Sequence, residues 1–91
     1  MERQVSIRVK GRVQGVFFRM YTVDKAQEMG LYGYVQNLRN GDVGIIVRGA
    51  DSQINVFIKW CHTGSPLSKV LAVEVQDSTE VIDIDNFEIR R

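Results

Sequence analysis

Apolar residues in this chain switch between a spacing of two and a spacing of three to four, in an order that leaves few folds open. Val5, Ile7 and Val9 alternate with Ser6, Arg8 and Lys10, the pattern of a strand with one wet face. Gly11 and Gly15 interrupt it, and residues 11–18 read as a loop. Met20, Val23 and Ala26 then fall three apart and Met29 continues the row, which predicts a helix. Gly30 supplies its left-handed cap, with Leu31 as the apolar follower. Tyr32 to Gln36 and the alternation Val43, Ile45, Val47 are two further strands. Asn40-Gly41 between them signals a hairpin whose tip lies at residues 38–42.

The second helix is expected to start at a cap formed by Asp51 or Ser52. Its apolar stripe is Ile54, Phe57, Ile58 and Cys61, at i, i+3, i+4 and i+7. Lys59 and His62 lie near its end, where the helix dipole favours positive charge, and Gly64 and Pro66 stop it. Leu71, Val73 and Val75 then make a fourth strand. Residues 76–86 are an acidic connection, and Phe87 with Ile89 marks a short last strand at an edge. The order β-α-β-β-α-β plus a terminal strand suits an α+β, ferredoxin-like split βαβ sandwich. Two helices are expected on one face of a largely antiparallel sheet, within a single domain over residues 1–91.

Composition narrows the classes of partner. Lys plus Arg number 12 and Asp plus Glu 11, a net charge of +1, which argues against a nucleic-acid backbone as partner. The charges are uneven: residues 1–48 hold eight bases and four acids, and residues 49–91 hold four bases and seven acids. The positive first half suits a small anion. No apolar run reaches the ~20 residues of a membrane helix, and no signal-peptide core stands at the start. The lone Cys61 makes no internal disulfide, so the expectation is a cytoplasmic protein, simplest as a monomer. A single His and a single Cys build no zinc site.

The stretch Gly11-Arg12-Val13-Gln14-Gly15-Val16-Phe17-Phe18-Arg19 lies between a strand and a helix. Its glycines let the backbone curl and aim successive N–H groups at one point. The helix that follows adds its unpaired amides and positive dipole end, and Arg19 a planar fork that matches phosphate oxygens. Together these favour one small oxyanion. The spacing alone also fits a plain β–α turn with a solvated Arg19. Asn37, ahead of the hairpin turn, holds a donor and an acceptor with which to orient a water, or serves ordinary turn chemistry. Tyr32 and Tyr34 are expected to pack on the sheet, Tyr34 close enough in sequence to touch the site, and Trp60 at the margin of the core. His62 and Cys61 read as a surface residue and a core thiol.

Gly11 to Arg19, GRVQGVFFR, resembles the acylphosphatase signature. Gly33-Tyr34-Val35-Gln36-Asn37-Leu38-Arg39-Asn40-Gly41-Asp42-Val43, followed by Gly49, resembles that family's second signature, in the expected order and separation. Gly64-Ser65-Pro66 and Asn86-Phe87-Glu88-Ile89 are similar too, and the likeness spans essentially the whole chain. It implies hydrolysis of acyl phosphates to a carboxylate and inorganic phosphate, with no metal, cofactor or covalent intermediate. By the same resemblance, Arg19 binds phosphate, Asn37 orients the water, and the amides of Val13, Gln14, Gly15, Val16, Phe17 and Phe18 cradle the substrate. Phe17 stands where many members carry glycine and others a bulky residue, and Gly44 where many carry an acidic or other polar residue. The alternative is a non-catalytic module of the same fold that binds a small anion such as phosphate.

Overall fold

A computed structural model describes residues 1–91. The elements are β1 (Glu2–Arg12), α1 (Phe18–Glu28), β2 (Tyr32–Asn37), β3 (Val43–Ala50), α2 (Asp51–Thr63), β4 (Lys69–Asp77) and β5 (Phe87–Arg90). They build a five-stranded sheet in the order β4-β1-β3-β2-β5. All pairings are antiparallel except that of β5 with β2. Val5 faces Val47, Ile7 faces Ile45 and Val9 faces Val43, so one side of the sheet is uniformly apolar. A slip of one residue would turn all of these side chains to the other face. Phe18 and Ala26 of α1 and Ile54, Phe57 and Cys61 of α2 share one buried cluster with them, which places both helices on that side.

Helix α1 presents a different row from the one its spacing suggests. Phe18, Thr22 and Ala26 are its buried residues, whereas Met20 is half exposed. The helix begins at Phe18, and positions i, i+4 and i+8 from there lie one above another. Thr22 is tolerated in the core because its hydroxyl donates to the Phe18 carbonyl at 2.8 Å. Gly30 closes the helix with φ +69°. Its N–H donates to Gln27 O and that of Leu31 to Ala26 O, the paired bonds of a Schellman cap.

Neither Asp51 nor Ser52 caps α2. The cap position is the extended Ala50, which makes no side-chain cap, and the Asp51 amide donates to Met1 O at 2.9 Å. The apolar stripe is as read: Ile54, Phe57 and Cys61 are buried, and Ile58 packs partly against them. Trp60 lies between Phe18 and Phe57, at ring distances of 5.8 and 5.9 Å. Strand β1 continues through Gly11 to Arg12, beyond the expected loop start, because β4 stays paired with it there. The pairing contains a bulge, Lys10 facing Ala72 and Gly11 facing Val70, which sets Leu71 aside. Val70 and Val73 pack on the core, while Leu71 is 73% exposed.

Tyr34 belongs to the sheet face away from the helices, not to the neighbourhood of Asn37. Its hydroxyl donates to Glu80 Oε2 at 2.6 Å, and the Arg90 guanidinium lies 3.9 Å from its ring centre. That ring face is therefore covered by the guanidinium.

The hairpin tip is tied by Leu38 N–H to Asp42 O (2.8 Å) and Gly41 N–H to Leu38 O (3.2 Å). Asp42 accepts from Lys10 Nζ at 3.1 Å and from the Asn40 amide at 3.0 Å, with Arg8 at 3.9 Å. Burial works against its charge, but these bonds and the Lys10 and Arg8 charges outweigh it and hold its pKa below the ordinary value. A depressed carboxyl stabilises the fold above its unfolded pKa and loses that contribution as pH falls through the folded one. Chemical denaturation at stepped pH should accordingly show stability falling below about pH 4, with the part due to this site missing in Asp42→Asn. At neutral pH, Phe57→Ala should cost about 3–5 kcal/mol and Leu71→Ala less than about 0.5 kcal/mol in urea melts. Equal losses would contradict the bulged register.

Candidate active site

The chain between β1 and α1 is held at both ends by the core, through Val13 and Phe18, each 1% exposed. Between them two anchors reach in from other elements. The Gln14 carboxamide nitrogen donates to both Leu38 O and Asp42 O at 2.8 Å, tying the loop to the hairpin tip. On the other side the buried Ser65, just after α2, donates its hydroxyl to Val16 O at 2.9 Å. Gly15 has φ +75° and Phe17 φ 62°, ψ 20°, so two left-handed residues flank Val16. Such alternation turns successive N–H groups toward a common side. The anchors engage carbonyls and side chains and leave the amides alone. No hydrogen bond among the loops, turns and caps is donated by the backbone N–H of residues 13–20.

Arg19 is the second residue of α1, half-buried, and makes no ion pair. Asn37 ends β2, opposite Val43. Both line one cleft of about 280 Å³. Val13, Gly15, Phe17 and Phe18 contribute to the same wall. Gln14 and Val16 do not line it; their side chain and carbonyl, respectively, serve the anchors. The Asn37 Oδ1 is buried and has no hydrogen-bond partner within the protein. A buried acceptor without a partner is costly, and in a cleft it is suited to a polar hydrogen from a ligand or water. The cleft thus brings together a guanidinium, the open amides of a helix N-terminus and an unused amide oxygen. That combination has the chemistry to suit a tetrahedral oxyanion with a second polar molecule beside it.

Other chemically suggestive residues lie elsewhere. His62 is exposed near the end of α2. Burial pushes the Cys61 thiol up to about 12, so it is inert as a nucleophile. No three His, Cys, Asp or Glu side chains come together as a metal-binding group, and no helix is long and apolar enough to cross a membrane. Ser65, Met20 and Ile89 belong to the surroundings of the cleft and carry no spacing signal that would single them out. Ser65 was legible only as part of the Gly64-Ser65-Pro66 resemblance.

The acylphosphatase family model matches residues 5–89. An acylphosphatase of Shewanella amazonensis is 45% identical over 84 residues, 91% of this chain and 92% of the relative. One from Haloquadratum walsbyi is 48% identical over 83 residues, 91% of this chain and 88% of the relative. The crystal structure of acylphosphatase from Bacillus subtilis superimposes with a TM-score of 0.92 at 35% identity, covering 100% of both chains. On two long motifs in register, a shared ferredoxin-like sheet and likeness over nearly its whole length, the chain belongs to the acylphosphatase family.

Proposed function

We propose that this protein hydrolyses the carboxyl–phosphate bond of acyl phosphates, as a monomer in the cytoplasm. The observation that carries the reading is the meeting of Arg19, the open amides of residues 13–20 and the unpartnered Asn37 Oδ1 at one cleft. Arg19 and the amides of Val13 to Phe18 hold the phosphoryl oxygens and oppose the charge that spreads over them. Phosphoryl transfer mainly demands this kind of positioning and charge stabilisation. Asn37 accepts a hydrogen from a water through Oδ1 and sets it in line with the leaving oxygen. The water oxygen then bonds to phosphorus as the bond to the acyl oxygen breaks.

The electron pair of that bond leaves on the carboxylate. Carboxylic acids have pKa values near 4, so the leaving oxygen needs no general acid at neutral pH. An amide is no base, and the water's proton passes to a phosphate oxygen of the substrate itself. The products are a carboxylate and inorganic phosphate. No histidine is required, which agrees with His62 lying out on the surface.

Following the ultraviolet loss of benzoyl phosphate in excess EDTA tests the reading. Wild-type protein should hydrolyse it well above the spontaneous rate. Arg19→Ala should lose about 10²–10³-fold or more in kcat/KM together with inhibition by inorganic phosphate. Asn37→Ala should lose about 10²-fold in kcat while inorganic phosphate still inhibits. Phosphate binding without turnover in the wild type would leave the anion-binding module instead. Ser65→Ala removes the donor to Val16 O, and phosphate inhibition should weaken about fivefold with a small fall in Tm. Unchanged inhibition would mean that the Ser65 bond does not set the loop's shape.

A further inference from the structure

The wall around the charged end of the cleft is apolar and lies open to water. Phe17 is 62% exposed, Met20 49% and Ile89 41%, and all three line the cleft that holds Arg19 and Asn37. They come from three separate elements: the loop, the first turn of α1 and the edge strand β5. Single exposed apolar residues are ordinary on a protein surface. Three converging at the mouth of one cleft mark a place where apolar matter is meant to sit.

Phe17 adds an independent argument. It is the only non-glycine residue with positive φ in the chain, at 62°. A left-handed backbone is costly for a side chain with a Cβ, and glycine would hold the same shape freely. Its ring does not recover that cost by burial, since most of it is exposed. A phenyl kept at such a position has a use outside the folded core. Charge is equally informative, for Arg19 is the only charged side chain lining the cleft. With its guanidinium on the phosphoryl group, nothing remains to pair a second anionic group on the acyl end.

We propose that Phe17, Met20 and Ile89 form an acyl-binding wall, and that the substrate class is an acyl phosphate with an apolar, preferentially aromatic, acyl group. This rests on the hydrolysis reading above and specifies the end of the substrate which that reading leaves open. The phosphoryl group occupies the polar end of the cleft, and the acyl group projects away from Arg19 onto the wall. Acetyl phosphate is too small to cover it. An acyl group carrying its own carboxylate would desolvate that charge without a partner.

Measuring KM for benzoyl, acetyl and succinyl phosphate separates these ideas, in the wild type and in Phe17→Gly and Met20→Gln. The ratio of KM values is the readout, because a general loss of activity does not move it. Wild-type KM for benzoyl phosphate should lie about tenfold below those for the other two. Both variants should shrink the ratio by raising KM for benzoyl phosphate. Phe17→Gly should do so at an equal or higher Tm, since glycine relieves the left-handed strain. Equal KM values in the wild type, or variants that keep the full ratio, would overturn the acyl wall and leave hydrolysis standing. Folded protein that turns over none of the three would overturn the hydrolysis reading, and the wall with it.

Discussion

The two hydrogens of one carboxamide join the halves of the site. Gln14 Nε2 gives both to carbonyls of the hairpin tip, Leu38 O and Asp42 O. The loop that leads into Arg19 and the strand that ends at Asn37 are far apart in sequence, and this bond pair ties them to each other. The hairpin carbonyls are arranged to receive it by the tip's own bonds and by the Lys10–Asp42 contact from β1. Ser65 holds the opposite side of the loop through Val16 O. The three bonds that hold the loop itself, from Gln14 and Ser65, run from side-chain donors to carbonyls. The backbone N–H groups are thereby left for an anion, a division that regular secondary structure would not permit.

Much of this architecture is visible in the periodicity. The strands at Val5–Val9 and Val43–Val47, the Asn-Gly hairpin, the Gly30 cap and the stripe on α2 are local signals, and each held. The departures share a cause, which is that a backbone partner invisible to apolar spacing decided the matter. Thr22 enters the core because its hydroxyl finds the Phe18 carbonyl, so the apolar count misplaces the buried row of α1. Asp51 needs no side-chain cap at its own amide because Met1 O receives that hydrogen. Leu71 faces water because a bulge absorbs one residue of β4, and a bulge leaves no trace in an alternation of apolar side chains.

The site was legible in a different way. Spacing alone left Arg19 and Asn37 open to ordinary turn and surface roles, and the paired signatures singled them out. What the sequence does not contain is their meeting. That depends on β2 lying between β3 and β5, on Asn37 closing the hairpin opposite Val43, and on α1 starting one residue before Arg19. Tyr34, only three positions from Asn37, illustrates the point in reverse. An odd separation along a strand sends it to the far face, where Glu80 and Arg90 engage it. Ile89 arrives at the cleft only because β5 adds in parallel beside β2.

A scaffold of 91 residues suits this chemistry because the chemistry asks for placement and little else. A guanidinium keeps its charge throughout the pH range in which proteins fold, and an amide does not titrate. A group that positions the loop, by contrast, does change charge in acid. Asp42 carries the hairpin tip that Gln14 grips, and its charge is held by Lys10, Asn40 and Arg8. Protonating it weakens the support of the loop before it touches any reacting group. Acid sensitivity at the hairpin tip thus belongs to the framework that brings the loop and hairpin together, and the groups proposed for the reaction feel it through Gln14.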